Sequence, residues 1–283
     1  MSECVGLVDQ RGLLNCTACG YHHLPGSREV DPGKFYAKKF WYERPQHRAE
    51  FEAARGWWET TYSEWLQVVD GPLSGNLLDI GCGYGEFLRV ADQLGYTVEG
   101  VEPGDEAFKH AFGLPVETLT LHHVPWTTAF IPRLQPAVVS ALWLLEHLPR
   151  PNEFLAWVRA TLPLGGRLLV VVPADYNPRQ LAMPVDRHWV HPTHLNYWTV
   201  DEIRATVERA GFGVVDVLGT FPVDAFLAAG LDYRSDPGIG AALHRGIREF
   251  ESALSRHSRL ELHRELARRN ACRDTVVVAE KHG

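Results

Sequence analysis

The segment Leu77-Leu78-Asp79-Ile80-Gly81-Cys82-Gly83-Tyr84-Gly85-Glu86-Phe87-Leu88 decides the fold. It reads as a short apolar strand, a glycine turn opened by an acid, and the start of a helix. Glycines suit a turn in which backbone passes close to a ligand, because no side chain stands in the way. A dinucleotide fingerprint asks for Gly-x-Gly-x-x-Gly, with a helix N-terminus aimed at a pyrophosphate. Here the spacing is Gly-x-Gly-x-Gly, and Glu86 takes the place of the third dinucleotide glycine. Asp79 stands two residues before the first glycine. Carboxylates so placed repel a pyrophosphate and favour a ligand that carries positive charge. S-Adenosylmethionine (SAM), with its sulfonium and ammonium groups, is such a ligand.

Outward from this turn, strands and helices alternate. Strand patterns fall at 77–80, 97–101, 115–119, 137–143 and 167–172, with helices between them at 85–95, 104–112 and 151–161. Such alternation predicts an α/β chain, a parallel sheet with helices on both faces. A long loop from Pro173 to Trp198 leads to a helix at 200–211, which Thr199 can cap and Gly211 can end. A strand at 213–219 follows, then a partly helical detour from Phe221 to Asn270, then the β-branched run Thr275-Val276-Val277-Val278, expected to pair with 213–219. Upstream, Phe51, Trp57, Trp58, Tyr62, Trp65, Leu66 and Val69 recur at roughly helical spacing, and Gly71-Pro72 stops that helix. The first 45 residues show little periodicity.

The 283-residue chain is long enough to bury a sizeable core, and 45% hydrophobic with 22% charged residues is ordinary for a soluble globular protein. A formal net charge of −7 argues against nucleic acid as a partner, since phosphate binding asks for clustered Lys and Arg. The basic stretch Arg256 to Arg273 is diluted by Glu261 and Glu265 and reads as a solvated helix face. No apolar run approaches the ~20 residues of a membrane span, and the N-terminus lacks a signal-peptide core, so no membrane role and a cytoplasmic location are expected. Five cysteines, at 4, 16, 19, 82 and 272, suit thiols or a metal better than a disulfide framework.

From about Leu77 to Glu280 the chain resembles the class I SAM-dependent methyltransferases. Asp79-x-Gly81-x-Gly83-x-Gly85 is similar to their first motif, and Val98-Glu99-Gly100-Val101-Glu102-Pro103 to the second, whose last acid holds both ribose hydroxyls of the cofactor. Leu145-Glu146-His147-Leu148-Pro149 resembles the segment that lies along the methionine moiety, and the stretch from Arg187 to Thr199 resembles a loop of a subgroup in polysaccharide and natural-product pathways. The resemblance implies a Rossmann-like, seven-stranded mixed sheet with six parallel strands and the last antiparallel. It implies SAM as cofactor, bound by Asp79, Gly81, Cys82, Gly83, Glu102, Pro103, Leu142 and Glu146. Some members of the subgroup carry an N-terminal zinc ribbon with two Cys-x-x-Cys knuckles. Cys16-Thr17-Ala18-Cys19 is similar to the second knuckle, while only Cys4 stands for the first; zinc held by Cys4, Cys16, Cys19 and His22 or His23, with His22 the first choice, is the corresponding expectation. The expected domains are a zinc-ribbon-like or irregular appendage (1–45), a helical cover (46–72) and a methyltransferase domain (73–283) with a helical insertion at about 221–270.

Methyl transfer from a sulfonium is an in-line displacement, so the enzyme must align the acceptor and, for a hydroxyl, remove its proton. Histidine is the default base near neutral pH. His147, just after the fourth strand, and His191 and His194, in the long loop, are the candidates. His188-x-x-His191-x-x-His194 near Asp186 also suggests a metal, although the family gives no reason for one there. Trp41, Trp57, Trp58 and Trp65 suit either a substrate wall or core packing. The chain is therefore expected to move a methyl group to an oxygen, less readily a nitrogen or carbon, of a small molecule such as a sugar or a natural-product intermediate. Two rivals remain: a catalytically inactive SAM-binding partner or scaffold, and a nicotinamide-dependent oxidoreductase.

Overall fold

The computed structural model describes residues 4–26, 52–69, 75–183, 193–233 and 235–283. Three short strands come first: β1 (Gly6–Val8), β2 (Leu14–Cys16) and β3 (Tyr21–His23). Helix α1 (Arg55–Val69) precedes the alternating region: β4 (Asn76–Ile80), α2 (Glu86–Gln93), β5 (Thr97–Val101), α3 (Asp105–Phe112), β6 (Thr120–His122) and β7 (Val138–Leu142). After a 3-10 turn at Leu145–His147 come α4 (Pro151–Thr161), β8 (Arg167–Pro173), α5 (Pro178–Ala182), β9 (Asn196–Tyr197), α6 (Val200–Arg209) and β10 (Phe212–Gly219). The detour holds α7 (Asp224–Ala228), α8 (Pro237–Ala253) and α9 (Arg256–Arg268), and β11 (Asp274–Lys281) ends the fold.

Seven strands form the main sheet in the order β10-β11-β8-β7-β4-β5-β6. Pairing is parallel throughout except at β11, which runs antiparallel between β8 and β10. This is the expected Rossmann-like mixed sheet. The continuous apolar run of β8 follows from burial on both faces. Leu168, Val170 and Val172 enter one core, and Leu169 and Val171 the other, as a period of two requires. Tyr62, Trp65, Leu66 and Val69 of α1 fill the second core, while Leu14, Cys16, Cys19 and Tyr21 of the N-terminal strands belong to the first. Thr199 caps α6 through a reciprocal box, accepting from the Glu202 amide at 3.2 Å while Glu202 Oε2 accepts from the Thr199 amide at 2.8 Å.

Two regions depart from expectation. The third strand lies at 120–122 and not at 115–119. Asp92 explains the shift: its carboxylate accepts the Glu117 and Thr118 amides at 3.3 Å each and the Thr118 hydroxyl at 2.8 Å, committing those groups to a turn. Secondly, the N-terminal strands are not left to themselves. Their antiparallel sheet, β1-β2-β3-β9, takes its fourth strand from the long loop before α6, with His23 opposite Asn196.

Candidate functional site

The glycine turn joins β4 to α2 at the C-terminal edge of the sheet. Gly81, Gly83 and Gly85 all have positive φ (76°, 53° and 79°), a region costly for other residues. A Cβ on Gly85 would stand 2.9 Å from that of Ala111, so close packing of α3 also demands glycine there. Backbone amides of Gly81 and Cys82 donate to Val101 O at 2.8 and 3.0 Å, bringing the turn against the end of β5. Glu102 follows directly. Its Oε2 accepts the Gly83 amide at 2.9 Å and its Oε1 the Gly104 amide at 2.6 Å, so the acid is fixed between two loops. A carboxylate oxygen has two lone-pair sites, and each still has capacity for a hydroxyl. Burial raises the Glu102 pKa, with the two amides opposing.

Asp79 is 2% exposed and accepts the Ser140 hydroxyl at 2.7 Å. Burial pushes its carboxyl up to about 7, against the Ser140 bond and helped by Glu102. A buried acid beside another acid has a ready use for a cationic ligand, which would favour the charged form. Burial, with Asp79 and Glu102 nearby, also pushes the Cys82 thiol up, so it stands here as a neutral wall. The donor set therefore fits SAM: acids for its cationic end and an amide-anchored carboxylate for vicinal hydroxyls. Pro103 follows Glu102, and Leu142 ends β7 as a half-buried member of the second core.

A second group of polar residues gathers beyond β7 and β8. Trp143 leaves β7 with φ of 51°, a conformation that costs a bulky residue on the order of 1–3 kcal/mol. Its Nε1 donates to Asp274 Oδ1 at 3.1 Å, and its ring meets Trp58 edge-on at 5.8 Å between centroids. Leu144 then packs on the glycine turn, 3.2 Å from where a Gly81 Cβ would be. Glu146 and His147 follow, both buried. His147 Nδ1 donates to Thr193 O at 2.9 Å, and its ring lies 5.0 Å from that of His194. His194 Nδ1 donates to Asp175 Oδ2 at 3.0 Å, and Arg273 clasps the other oxygen of Asp175. Burial alone would raise Asp175, but Arg273 and His194 outweigh it and hold the carboxyl at about 2. Glu146 shows the opposite balance: burial, with Asp175 and Asp274 close by, raises its pKa well above the usual range. Its Oε2 is buried without a hydrogen-bond partner.

Glu146, His147 and His194 thus form one buried cluster, with one donor atom from each lying within 4.8 Å of the others. His188 and His191 lie outside the described residues, as does Trp41. Trp65 is core, whereas Trp57 donates to Glu251 Oε2 at 3.0 Å and ties α1 to α8. Asp175 and Arg273 are the members that sequence reasoning missed. The available signal was position, since Asp175 stands two residues past the end of β8.

In the N-terminal sheet Cys4, Cys16 and Cys19 come together with His23, their donor atoms mutually within 4.8 Å. The expected choice of His22 is not the one the strand makes. Alternation along β3 sends His22 the other way, where its Nδ1 lies 2.9 Å from Glu202 Oε1 and its ring stacks on Tyr176.

Residues 55–217 match the family model described as a methyltransferase domain. Among curated relatives, the ubiquinone biosynthesis O-methyltransferase of Bordetella avium is 30% identical over 161 residues, 47% of this chain and 63% of the relative. The chain thus spans under two thirds of that relative's length. The enzyme of the same name from Pseudomonas entomophila is 26% identical over 204 residues, 60% of this chain and 84% of the relative. Among solved structures, one chain of the Haloferax volcanii complex between the Trm112 methyltransferase activator and a protein described as a methyltransferase gives a TM-score of 0.54 at 14% identity, covering 89% of this chain and 98% of that one. A Listeria monocytogenes protein described as a SAM-dependent methyltransferase gives 0.51 at 14% identity, covering 78% and 99%.

Proposed function

The chain belongs to the methyltransferase-domain family as a class I SAM-dependent enzyme, and from that premise we propose that it methylates a hydroxyl oxygen of a small biosynthetic intermediate. The observation that carries this reading is the buried pair His194–Asp175, set beside Glu146 and His147 on the segment that packs against the glycine turn. The relatives' names, O-methyltransferases, point to oxygen in the same way.

When bound, SAM supplies an electrophilic methyl group on a positively charged sulfur. Glu102 would accept the two ribose hydroxyls, while Asp79 and the turn of Gly81, Cys82 and Gly83 would receive the charged end. Pro103 and Leu142 would complete the walls, and Glu146 and His147 would line the methionine side. Asp175 takes the Nδ1 proton of His194 as a hydrogen bond, which leaves Nε2 as the basic nitrogen. His194 would then hold the proton that the acceptor hydroxyl gives up, a role worth on the order of 10²–10⁴ in rate. His147 spends its Nδ1 proton on Thr193 O and so positions the residue next to the base.

A screen with methyl-labelled SAM against phenols, sugars and amines tests this. Label transfer to hydroxyl compounds, lost about a hundredfold or more in His194→Ala with SAM binding retained, is the expected result. Equal turnover by the variant, or transfer to amines alone, contradicts it.

A further inference from the structure

We propose that Cys4, Cys16, Cys19 and His23 bind one zinc ion, and that this ion sets the position of His194 through the β3–β9 pairing. The proposal concerns a site and a coupling; only the use made of His194 rests on the function proposed above.

The donors themselves argue for the ion. Cys16 and Cys19 flank a turn closed by Gly20 at φ 75°, and the Cys19 amide points at Cys16 Sγ at 3.3 Å, which favours a thiolate. Cys4 Sγ lies 3.7 Å from Cys19 Sγ. A disulfide needs about 2.05 Å, whereas neighbouring thiolates of a tetrahedral site with Zn–S near 2.3 Å lie about 3.8 Å apart. His23 Nδ1 donates to Leu24 O at 2.9 Å, which assigns the lone pair to Nε2. Metal-bound imidazoles are commonly held by such a bond from the other ring nitrogen. Three thiols and an imidazole form a closed, structural zinc set.

The coupling follows from backbone continuity. His23 pairs with Asn196, and the Leu24 amide donates to Leu195 O at 2.9 Å. On its other side Leu195 donates to Glu146 O at 2.7 Å, and the Asn196 side chain reaches Leu145 O and Leu148 O at 3.0 and 2.7 Å. His194 is the next residue along. Two residues of β9 are too few to form a stable strand alone, so what fixes β3 fixes this segment. Arg209 supports the same lobe by donating to Cys19 O at 3.0 Å.

The test uses the full chain. Metal analysis should find one zinc per chain in the wild type and in His22→Ala, little in His23→Ala or Cys4→Ser, and recovery in His23→Cys. Hydrogen exchange should show that removing zinc with a chelator speeds exchange of amides at 193–198 tenfold or more and leaves 77–88 unchanged. Calorimetry should keep the SAM dissociation constant within threefold. Cys4→Ser provides the same reading if His23→Ala does not fold, because Cys4 is exposed and unpaired in the sheet register. A wild type without zinc, a Cys4–Cys19 disulfide, unchanged exchange at 193–198 after stripping, or loss of protection across the whole main sheet would each overturn the proposal. Failure of SAM to bind would instead strike the function proposed above, and leave metal content and exchange to decide this one.

Discussion

At one edge of the main sheet, two regions of the molecule are assembled in opposite ways. The proposed cofactor side runs from Asp79 to Gly104, and its glycine amides and Glu102 carboxylate come from two neighbouring strands and the turns that follow them. The proposed acceptor side draws Glu146, Asp175, His194 and Arg273 from four separate places and adds β3 as an outer support. Charge differs too. Asp79 and Glu102 have raised pKa values because burial outweighs their partners, whereas Asp175 is held low by Arg273. The first region is a buried acid pair whose ionised form a cation would favour. The second has an internal cation that keeps one carboxylate ionised for its histidine.

Substitutions should separate the two. Asp175→Asn changes the hydrogen bond that sets the His194 tautomer, and should lower kcat by about a hundredfold with the SAM dissociation constant within twofold. Steady-state kinetics beside calorimetry checks this; loss of SAM affinity would break the division. On the cofactor side, SAM binding should strengthen as pH rises from about 6 to 8. The cation favours ionised Asp79, and below a pKa of about 7 ionisation costs up to tenfold per unit. Stability of the ligand-free protein should move the other way. A folded-state pKa raised from 3.8 to about 7 gives a contribution that is full below pH 4 and lost as pH rises through 7. Thermal melts from pH 5 to 8, with and without SAM, check both signs, and a SAM-induced shift that is larger at pH 6 than at pH 8 would contradict them. The smallest effect belongs to the turn itself. Gly85→Ala meets both a positive φ and the Ala111 contact at 2.9 Å, and should cost about 1–3 kcal/mol by denaturant unfolding.

The same contrast explains what could be read from sequence. The glycine turn, Glu102 and most strands of the main sheet were legible because each is a local pattern of apolar residues, turn residues and one acid. Strand β6 was not, because the β-branched Val116 and Thr118 stand at strand spacing while Asp92, far upstream, holds the 117–118 amides out of the sheet. Nor was the link between His23 and Asn196, which lie 173 positions apart in strands of three and two residues, too short to show a period. His22 and His23 are adjacent and chemically identical. Only the face that β3 turns toward the cysteines distinguishes them.

The most direct measurement is calorimetric titration of the cofactor-stripped protein with SAM, with Glu102→Ala and His194→Ala in parallel. The account predicts saturable binding by the wild type, weakening by tenfold or more (about 1.4 kcal/mol) in Glu102→Ala, and less than twofold change in His194→Ala. No binding by folded wild type, or equal weakening in both variants, would contradict it.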